Sequence, residues 1–142
     1  SDVYKRQLVN FLRDHKDAYV VTDIKDKNVD TLKKIREVSP ETLDQIIPQI
    51  YNFSEYNEVK SLGYKNIILT LYKINSPDRE IIDFVKANKL YAVTMSRSRL
   101  DSKLFNELKK TNVKIFTHTV NSMDELKKYK EKGVFGFYSD VL

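Results

Sequence analysis

The chain has 142 residues, of which 41% are hydrophobic and 32% charged, with a net charge of +5. This length allows one domain with a buried core, or part of a larger domain. The sequence contains no cysteine, which excludes disulfides, thiolate metal sites and cysteine nucleophiles. The excess lysines stand beside acids, as on solvated helix faces, and no apolar run approaches the ~20 residues of a membrane span. We therefore expect no nucleic-acid partner, and the sequence indicates no membrane contact.

Helical and strand-like apolar spacings alternate along the first half of the chain. Helical spacing covers residues 4–15, but residues 1–7 carry no strand, cap or periodic signal of their own. We interpret residues 1–7 as a non-native leader and residues 8–142 as a single domain portion. A first strand is predicted at residues 19–25, followed by a helix capped by Asn28. Ser39 and Pro40 predict a short helix, and a second strand is predicted at residues 46–51, short or irregular around Pro48.

The same alternation continues to the end of the sequence. Strands are predicted at residues 66–72, 90–95, 113–120 and 135–138, and the first of these is apolar enough to be buried on both faces. The helices between the strands are marked by start signals at Ser54, Ser76, Asp101 and Ser122, and by stop signals at Gly63 and Gly133.

Successive strands begin about 20 to 27 residues apart, and each pair is bridged by one helix. This is the βα repeat of a parallel sheet, which fits either an open doubly wound sheet or part of a (β/α)8 barrel. Because a whole barrel needs ~250 residues, the barrel interpretation makes this chain about half of one.

Asp23 and Lys25 form an acid–base pair at the end of the first predicted strand. Alternation along a strand puts both side chains on one face. Burying a carboxylate and an ammonium is costly unless they meet a ligand or each other. The pair is therefore either a plain ion pair or part of a ligand site.

Three motifs, in this order and spacing, resemble the carboxyl-terminal half of the glycerophosphodiester phosphodiesterase family, within the phospholipase-C-like phosphodiesterase barrels. They are Asp23-Ile24-Lys25, His118-Thr119-Val120-Asn121, and Gly133-Val134-Phe135-Gly136 with Ser139-Asp140. The family patterns are Glu-x-Lys, Trp-Thr-Val-Asn and Gly-Val-Asp-Gly followed by Thr-Asp. Asp23 thus replaces a glutamate and His118 replaces a tryptophan. The resemblance covers residues 19–142 and favours a partial (β/α)8 TIM barrel with about six parallel strands alternating with helices.

The resemblance implies metal-assisted hydrolysis of a glycerol- or polyol-phosphodiester, from a small molecule or a lipid headgroup, with Ca²⁺ or Mg²⁺. The family's His-Arg-Gly, Glu-x-Asp and His-Asp motifs precede Glu-x-Lys and are absent from this sequence. We therefore expect a truncated barrel that is inactive alone, with most metal ligands and the catalytic histidines in a missing amino-terminal half. Cytoplasm and bacterial cell envelope both remain open as its compartment.

The resemblance also assigns roles to strand-end residues. As catalytic residues, Asp23 would bind the metal and Lys25 would neutralise a phosphoryl oxygen. His118 would line the substrate pocket, or else pack at the rim as an ordinary histidine. Gln49, Tyr51 and Tyr72 are substrate-binding candidates by position, with packing as the alternative for the two tyrosines. Thr70, Met95 and Ser96 also end strands and are further candidate pocket walls.

Two other functions are compatible with the sequence. One is a barrel of the same ancestry that binds a phosphorylated lipid or envelope polymer without cutting it, for which the changes at Asp23 and His118 leave room. The other is a complete, doubly wound α/β domain that senses or docks. No glycine-rich phosphate loop supports this last alternative.

Overall fold

The computed structural model describes residues 2–141. Ser1, the first residue of the predicted leader, and Leu142, the last residue of the predicted domain portion, lie outside the described residues. The chain divides into two compact units, Ser1–Ile67 and Ile68–Leu142. The predicted fold class is confirmed: this is an α/β chain of the partial (β/α)8 type, with six strands alternating with helices. Between residues 2 and 141, no helix is both long and apolar enough to cross a membrane.

The first unit contains two parallel strands and the helices that cover them. Its elements are α1 (Asp2–Asp14), β1 (Val20–Thr22), α2 (Asn28–Val38), a 3-10 helix (Pro40–Gln45), β2 (Ile46–Ile50) and α3 (Glu55–Ser61). Thr22 of β1 lies opposite Pro48 of β2, so the proline stands within the strand without ending it. The predicted leader is helical from Asp2 onward and continuous with the helix predicted over residues 4–15.

Helix α1 is held to the first unit by its apolar face and by one glutamine. Val9 and Leu12 are buried, at a spacing that places them on the same side of the helix. The Gln45 amide Nε2 lies within 2.8 to 3.1 Å of the carbonyl oxygens of Leu12, His15 and Ala18. One side chain therefore satisfies the backbone where α1 ends and fixes the path into β1.

The second unit contains four parallel strands in chain order. Its elements are β3 (Ile68–Thr70), a 3-10 helix (Leu71–Lys73), α4 (Asp78–Ala87), β4 (Ala92–Ser96), a 3-10 helix (Arg97–Arg99), α5 (Lys103–Lys109), β5 (Lys114–His118), α6 (Met123–Lys132) and β6 (Gly136–Phe137). The pairing register aligns Thr70, Thr94, Phe116 and Gly136 in one row. A β-carbon on Gly136 would lie 2.8 Å from the Phe116 ring, so the ring can occupy this position only because residue 136 has no side chain.

The core of the second unit follows the apolar runs of the sequence. All three residues of β3 are buried, which confirms the expected burial of this strand on both faces. Ile81 of α4 and Leu104 and Leu108 of α5 are at most 1% exposed, as expected for the inner faces of covering helices. The carboxyl ends of β3, β4 and β5 are thereby fixed next to one another.

Two predicted helix caps are wrong by one position. Asn28 is the first residue of α2, and the cap position belongs to Lys27, whose φ of 52° is left-handed. Asp101 does not cap α5; the Ser102 hydroxyl accepts the backbone N–H three residues on, while the Asp101 carboxylate pairs with Lys132. In both cases the amide or carboxylate of the predicted cap has a tertiary partner, and that partner determines its position.

The signals around α6 are confirmed. The Ser122 hydroxyl accepts the backbone N–H of Glu125 at 3.2 Å, as in a capping box. The helix ends at Gly133, whose φ of 109° is readily adopted only by glycine. By contrast, α3 begins with the Glu55 N–H donating to Asn52 Oδ1 at 3.1 Å, and the side chain of the predicted cap Ser54 does not contact the helix backbone.

Strand β1 is shorter than predicted. It ends at Thr22, so Asp23 and Lys25 lie in the following segment and not on one face of a strand. Their side chains are 54% and 63% exposed, which removes the desolvation cost expected for a buried pair. Both residues nevertheless lie just after the carboxyl end of β1, close to the strand-end position predicted from the sequence.

Candidate functional site

In the first unit, polar side chains gather after the carboxyl ends of β1 and β2. The Asp23 carboxylate is held on both sides: its Oδ1 accepts the Tyr51 hydroxyl, and its Oδ2 lies 3.9 Å from Lys25 Nζ. Tyr51 is itself only 8% exposed and immediately follows β2. The buried tyrosine thus fixes the orientation of the carboxylate, while the ammonium remains accessible to a ligand.

A second layer of hydrogen bonds lies beneath that pair. Asn28 Nδ2 donates to the Gln49 carbonyl at 2.9 Å and to Glu55 Oε2 at 2.8 Å, and the Tyr51 N–H donates to Glu55 Oε1 at 2.9 Å. Gln49 Nε2 donates to the Thr22 carbonyl at 2.9 Å. These bonds join the strand ends to the starts of α2 and α3, so we call Asn28, Gln49, Tyr51 and Glu55 the strand-end network.

The predicted metal ligand, Asp23, supplies the donor type that Ca²⁺ and Mg²⁺ prefer. Its Oδ1 already accepts a phenol, so the carboxylate fits one position of a coordination shell, alongside a cationic neighbour. Within residues 2–141, no three histidine or acidic side chains are grouped closely enough to hold a metal ion. Asp23 as a ligand and Lys25 as a catalytic group therefore stay predictions.

In the second unit, a pocket of about 280 Å³ opens at the carboxyl ends of β3, β4 and β5. It brings together Tyr72 and His118, two of the predicted substrate-binding residues. Tyr72 is 65% exposed and therefore is not a core packing residue. The residues that line this pocket are Leu71, Tyr72, Ile74, Asn75, Ser96, Arg99 and His118.

The polar groups of this pocket are loosely engaged. Arg99 Nη2 lies 3.8 Å from Asp78 Oδ1, beyond hydrogen-bonding distance. Among the described residues, the Ser96 hydroxyl hydrogen-bonds to another hydroxyl, that of Ser98, at 2.8 Å. The His118 imidazole has no hydrogen-bond or ion-pair partner among the described residues. Among the described residues, the Ser96, Arg99 and His118 side chains therefore make fewer hydrogen bonds than the side chains of the strand-end network.

The second and third motifs of the resemblance contact each other. Asn121 Oδ1 accepts the Ser139 hydroxyl and the Asp140 N–H, both at 3.0 Å. Asn121 therefore ties the segment after β5 to the segment after β6, and it positions the connection that begins at His118. Asn121 and Asp140 thus have a structural role in this contact.

Sequence reasoning missed Asn28 and Glu55 as parts of the first region, and Arg99 and Asn75 as parts of the pocket. Arg99 stands three residues after the end of β4, and Asn75 five after the end of β3. Loops after the carboxyl ends of strands are where α/β barrels carry their functional residues. That rule, applied to loops as well as strand ends, would have included Arg99.

The sequence matches no known protein-family profile. No curated protein matches it either. The fold, however, is similar to a crystal structure from Silicibacter pomeroyi DSS-3 that is provisionally assigned as a glycerophosphoryl diester phosphodiesterase, with a TM-score of 0.69 and 11% sequence identity. The alignment covers 95% of this chain and 52% of that one, so this chain spans about half its length. At this identity the similarity shows the fold alone, and it agrees with the family resemblance at that level.

Proposed function

We propose that this chain provides part of the substrate site of a phosphoric diester hydrolase that acts on a glycerol- or polyol-phosphodiester. The observation that carries the proposal is the Asp23–Lys25 pair, oriented by Tyr51 after the carboxyl end of β1. Functional residues lie at this end of the strands in barrels of this type. The similarity of fold to a provisionally assigned phosphodiesterase supports the same function.

Each residue would have a distinct role. The exposed Lys25 ammonium would neutralise a phosphoryl oxygen as charge develops on it. Asp23 would donate one oxygen to a divalent cation, with further ligands from outside the described residues. When bound, Ca²⁺ or Mg²⁺ would polarise the phosphoryl group. Tyr51 would hold the carboxylate in place, with Gln49 supporting it from the strand. In the second unit, taken by itself, Tyr72 and His118 would be the substrate-contacting residues of their own pocket.

The number of histidines favours a second candidate, binding without hydrolysis. The sequence contains two histidines, and His15 stacks on Phe11 just after α1. Only His118 lies at the carboxyl end of a strand, whereas the family resemblance implies a catalytic pair. The chain on its own would then bind a phosphodiester or phosphorylated polymer without cleaving it.

Both candidates can be tested on the chain with glycerophosphoethanolamine and Mg²⁺ or Ca²⁺. Amide chemical shifts should change at residues 23–25 as the diester saturates, and Lys25→Gln should abolish the change. Lys33→Gln, which removes an exposed charge from α2, is the matched control. Absence of any saturable shift at residues 23–25 would contradict the proposal.

Hydrolysis is followed separately by phosphorus NMR. We expect no turnover by this chain alone, because the family resemblance implies a pair of catalytic histidines and only His118 stands at the carboxyl end of a strand among the described residues. Metal-dependent release of a phosphomonoester would show that the chain is itself the enzyme. That result would rule out the binding-only candidate.

A further inference from the structure

The polar side chains that line the pocket of the second unit favour an anionic ligand over a cationic one, a property that the proposed function does not use. Its polar lining side chains are Tyr72, Asn75, Ser96, Arg99 and His118, and none of its seven lining residues carries a carboxylate. A guanidinium, an amide, two hydroxyls and an imidazole can all donate hydrogen bonds. A cationic ligand would find no counter-charge in this lining, whereas an anion would find several donors.

Arg99 is the residue that gives the pocket its charge. Its side chain is 31% exposed, so its position is partly fixed by surrounding atoms, and the closest carboxylate oxygen, of Asp78, is 3.8 Å away. The Asp78 side chain is 54% exposed and can therefore be solvated without Arg99. A guanidinium presents a planar fork that matches the oxygens of a phosphate, and at 3.8 Å Asp78 forms an ion pair with that fork but no hydrogen bond.

The arrangement of the donors follows from the strand register. Ser96 and His118 are paired neighbours on β4 and β5, so their side chains lie on the same side of the sheet. Arg99 follows Ser96 after one short 3-10 turn, and Asn75 lies in the loop after β3. Donors from three successive strand ends thus line a single pocket, which suits the several oxygens of a tetrahedral oxyanion.

We infer that this pocket binds a phosphate group, either inorganic phosphate or the phosphate monoester of a larger ligand, with Arg99 as the main anchor and His118, Ser96 and Asn75 as hydrogen-bonding partners. The inference deepens the proposed function, on which it rests only in naming the group that Tyr72 and His118 would contact.

The test is a titration of the chain with inorganic phosphate, without diester or metal, so that it can fail separately from the proposed function. Amide shifts should saturate at Ser96, Arg99 and His118. Arg99→Gln should weaken binding at least about tenfold, because it removes a charge-assisted hydrogen bond. Arg99→Lys, which keeps the charge but loses the fork, should weaken it by a smaller factor.

The matched control is Arg79→Gln. Arg79 lies on α4 of the same unit with its side chain 87% exposed, so its removal makes the same change in net charge. It should bind phosphate as the wild type does. Two results would overturn the inference: an equal loss of phosphate affinity in Arg79→Gln and Arg99→Gln, or chemical-shift changes spread over the surface lysines. Either would show that phosphate is attracted by the net charge of the chain and not by this pocket.

Two further arms define the ligand. Glycerol phosphate that binds more tightly than inorganic phosphate would identify the monoester of a larger ligand as the natural source, and the reverse order would identify free phosphate. Chloride at the same ionic strength should not compete with either. If chloride displaced phosphate from Ser96, Arg99 and His118, the pocket would be a simple halide-type site and the inference would be wrong.

Discussion

The two polar regions at strand ends differ in how their hydrogen bonds are used. In the first unit, both Glu55 oxygens and the Asn28 amide nitrogen have partners within the protein. In the second unit, the His118 ring has no such partner among the described residues, and Arg99 lies 3.8 Å from the closest carboxylate oxygen. The first region therefore stabilises the fold around one exposed pair, and the second leaves the Arg99 guanidinium and the His118 ring without a hydrogen bond among the described residues.

This difference separates residues that position a site from residues that contact a ligand. A buried side chain that satisfies two backbone or carboxylate groups cannot be removed without leaving them unsatisfied. A half-exposed side chain without a partner costs little to remove, so its presence in a pocket has to be explained by something other than stability. Substitutions should therefore have unequal effects on stability in the two regions.

The largest effect should come from Asn28→Ala. Asn28 is 7% exposed and donates to both Gln49 and Glu55, so its loss removes two hydrogen bonds and leaves a cavity. We expect the free energy of unfolding to fall by about 2–3 kcal/mol, measured by urea denaturation. Asn10→Ala, at an exposed position on α1, should change it by less than about 0.5 kcal/mol. Equal effects of the two substitutions would show that the strand-end network does not stabilise the fold.

Tyr51→Phe should have an intermediate effect. It removes only the hydroxyl that donates to the half-exposed Asp23, while the buried ring remains. We expect a loss of about 1 kcal/mol in the same measurement. Tyr19→Phe serves as the control, because that ring is 66% exposed and its change should be close to zero. A neutral Tyr51→Phe would mean that the hydroxyl does not hold the carboxylate in place.

The sequence predicted the βα repeat because apolar periodicity and strand spacing are local properties of the chain. It also predicted that Asp23 and His118 stand at carboxyl ends of strands, which follows from the order of the elements alone. The sequence could not predict that Asn28 hydrogen-bonds to β2 and to the start of α3 instead of capping α2. Its partners, Gln49 and Glu55, are 21 and 27 residues away in the chain. Arg99 was missed for a different reason: it lies in the loop after β4, and the predicted site residues were confined to strand ends.

In the pocket, His118→Asn should change the free energy of unfolding by less than about 0.5 kcal/mol, because the imidazole has no partner to lose among the described residues. Lys25→Gln in the first unit should be similarly small, since exposed ion pairs contribute little. Urea denaturation of both variants against the wild type measures this. A loss as large as that of Asn28→Ala at either position would remove the distinction between positioning and ligand-contacting residues.

The smallest effect concerns a carboxylate outside both regions. Lys132 donates a hydrogen bond to Asp101 and lowers the pKa of that carboxyl below its ordinary value of 3.8, by the hydrogen bond first and by its charge second. Because the folded pKa is the lower one, the stabilisation is present above the unfolded pKa and is lost as the pH falls through the folded pKa.

Asp101→Asn should therefore reduce the acid-dependent loss of stability slightly, as measured by urea denaturation on both sides of pH 3.8. An unchanged acid limb in Asp101→Asn would show that the Lys132 contact is too well solvated to be linked to folding.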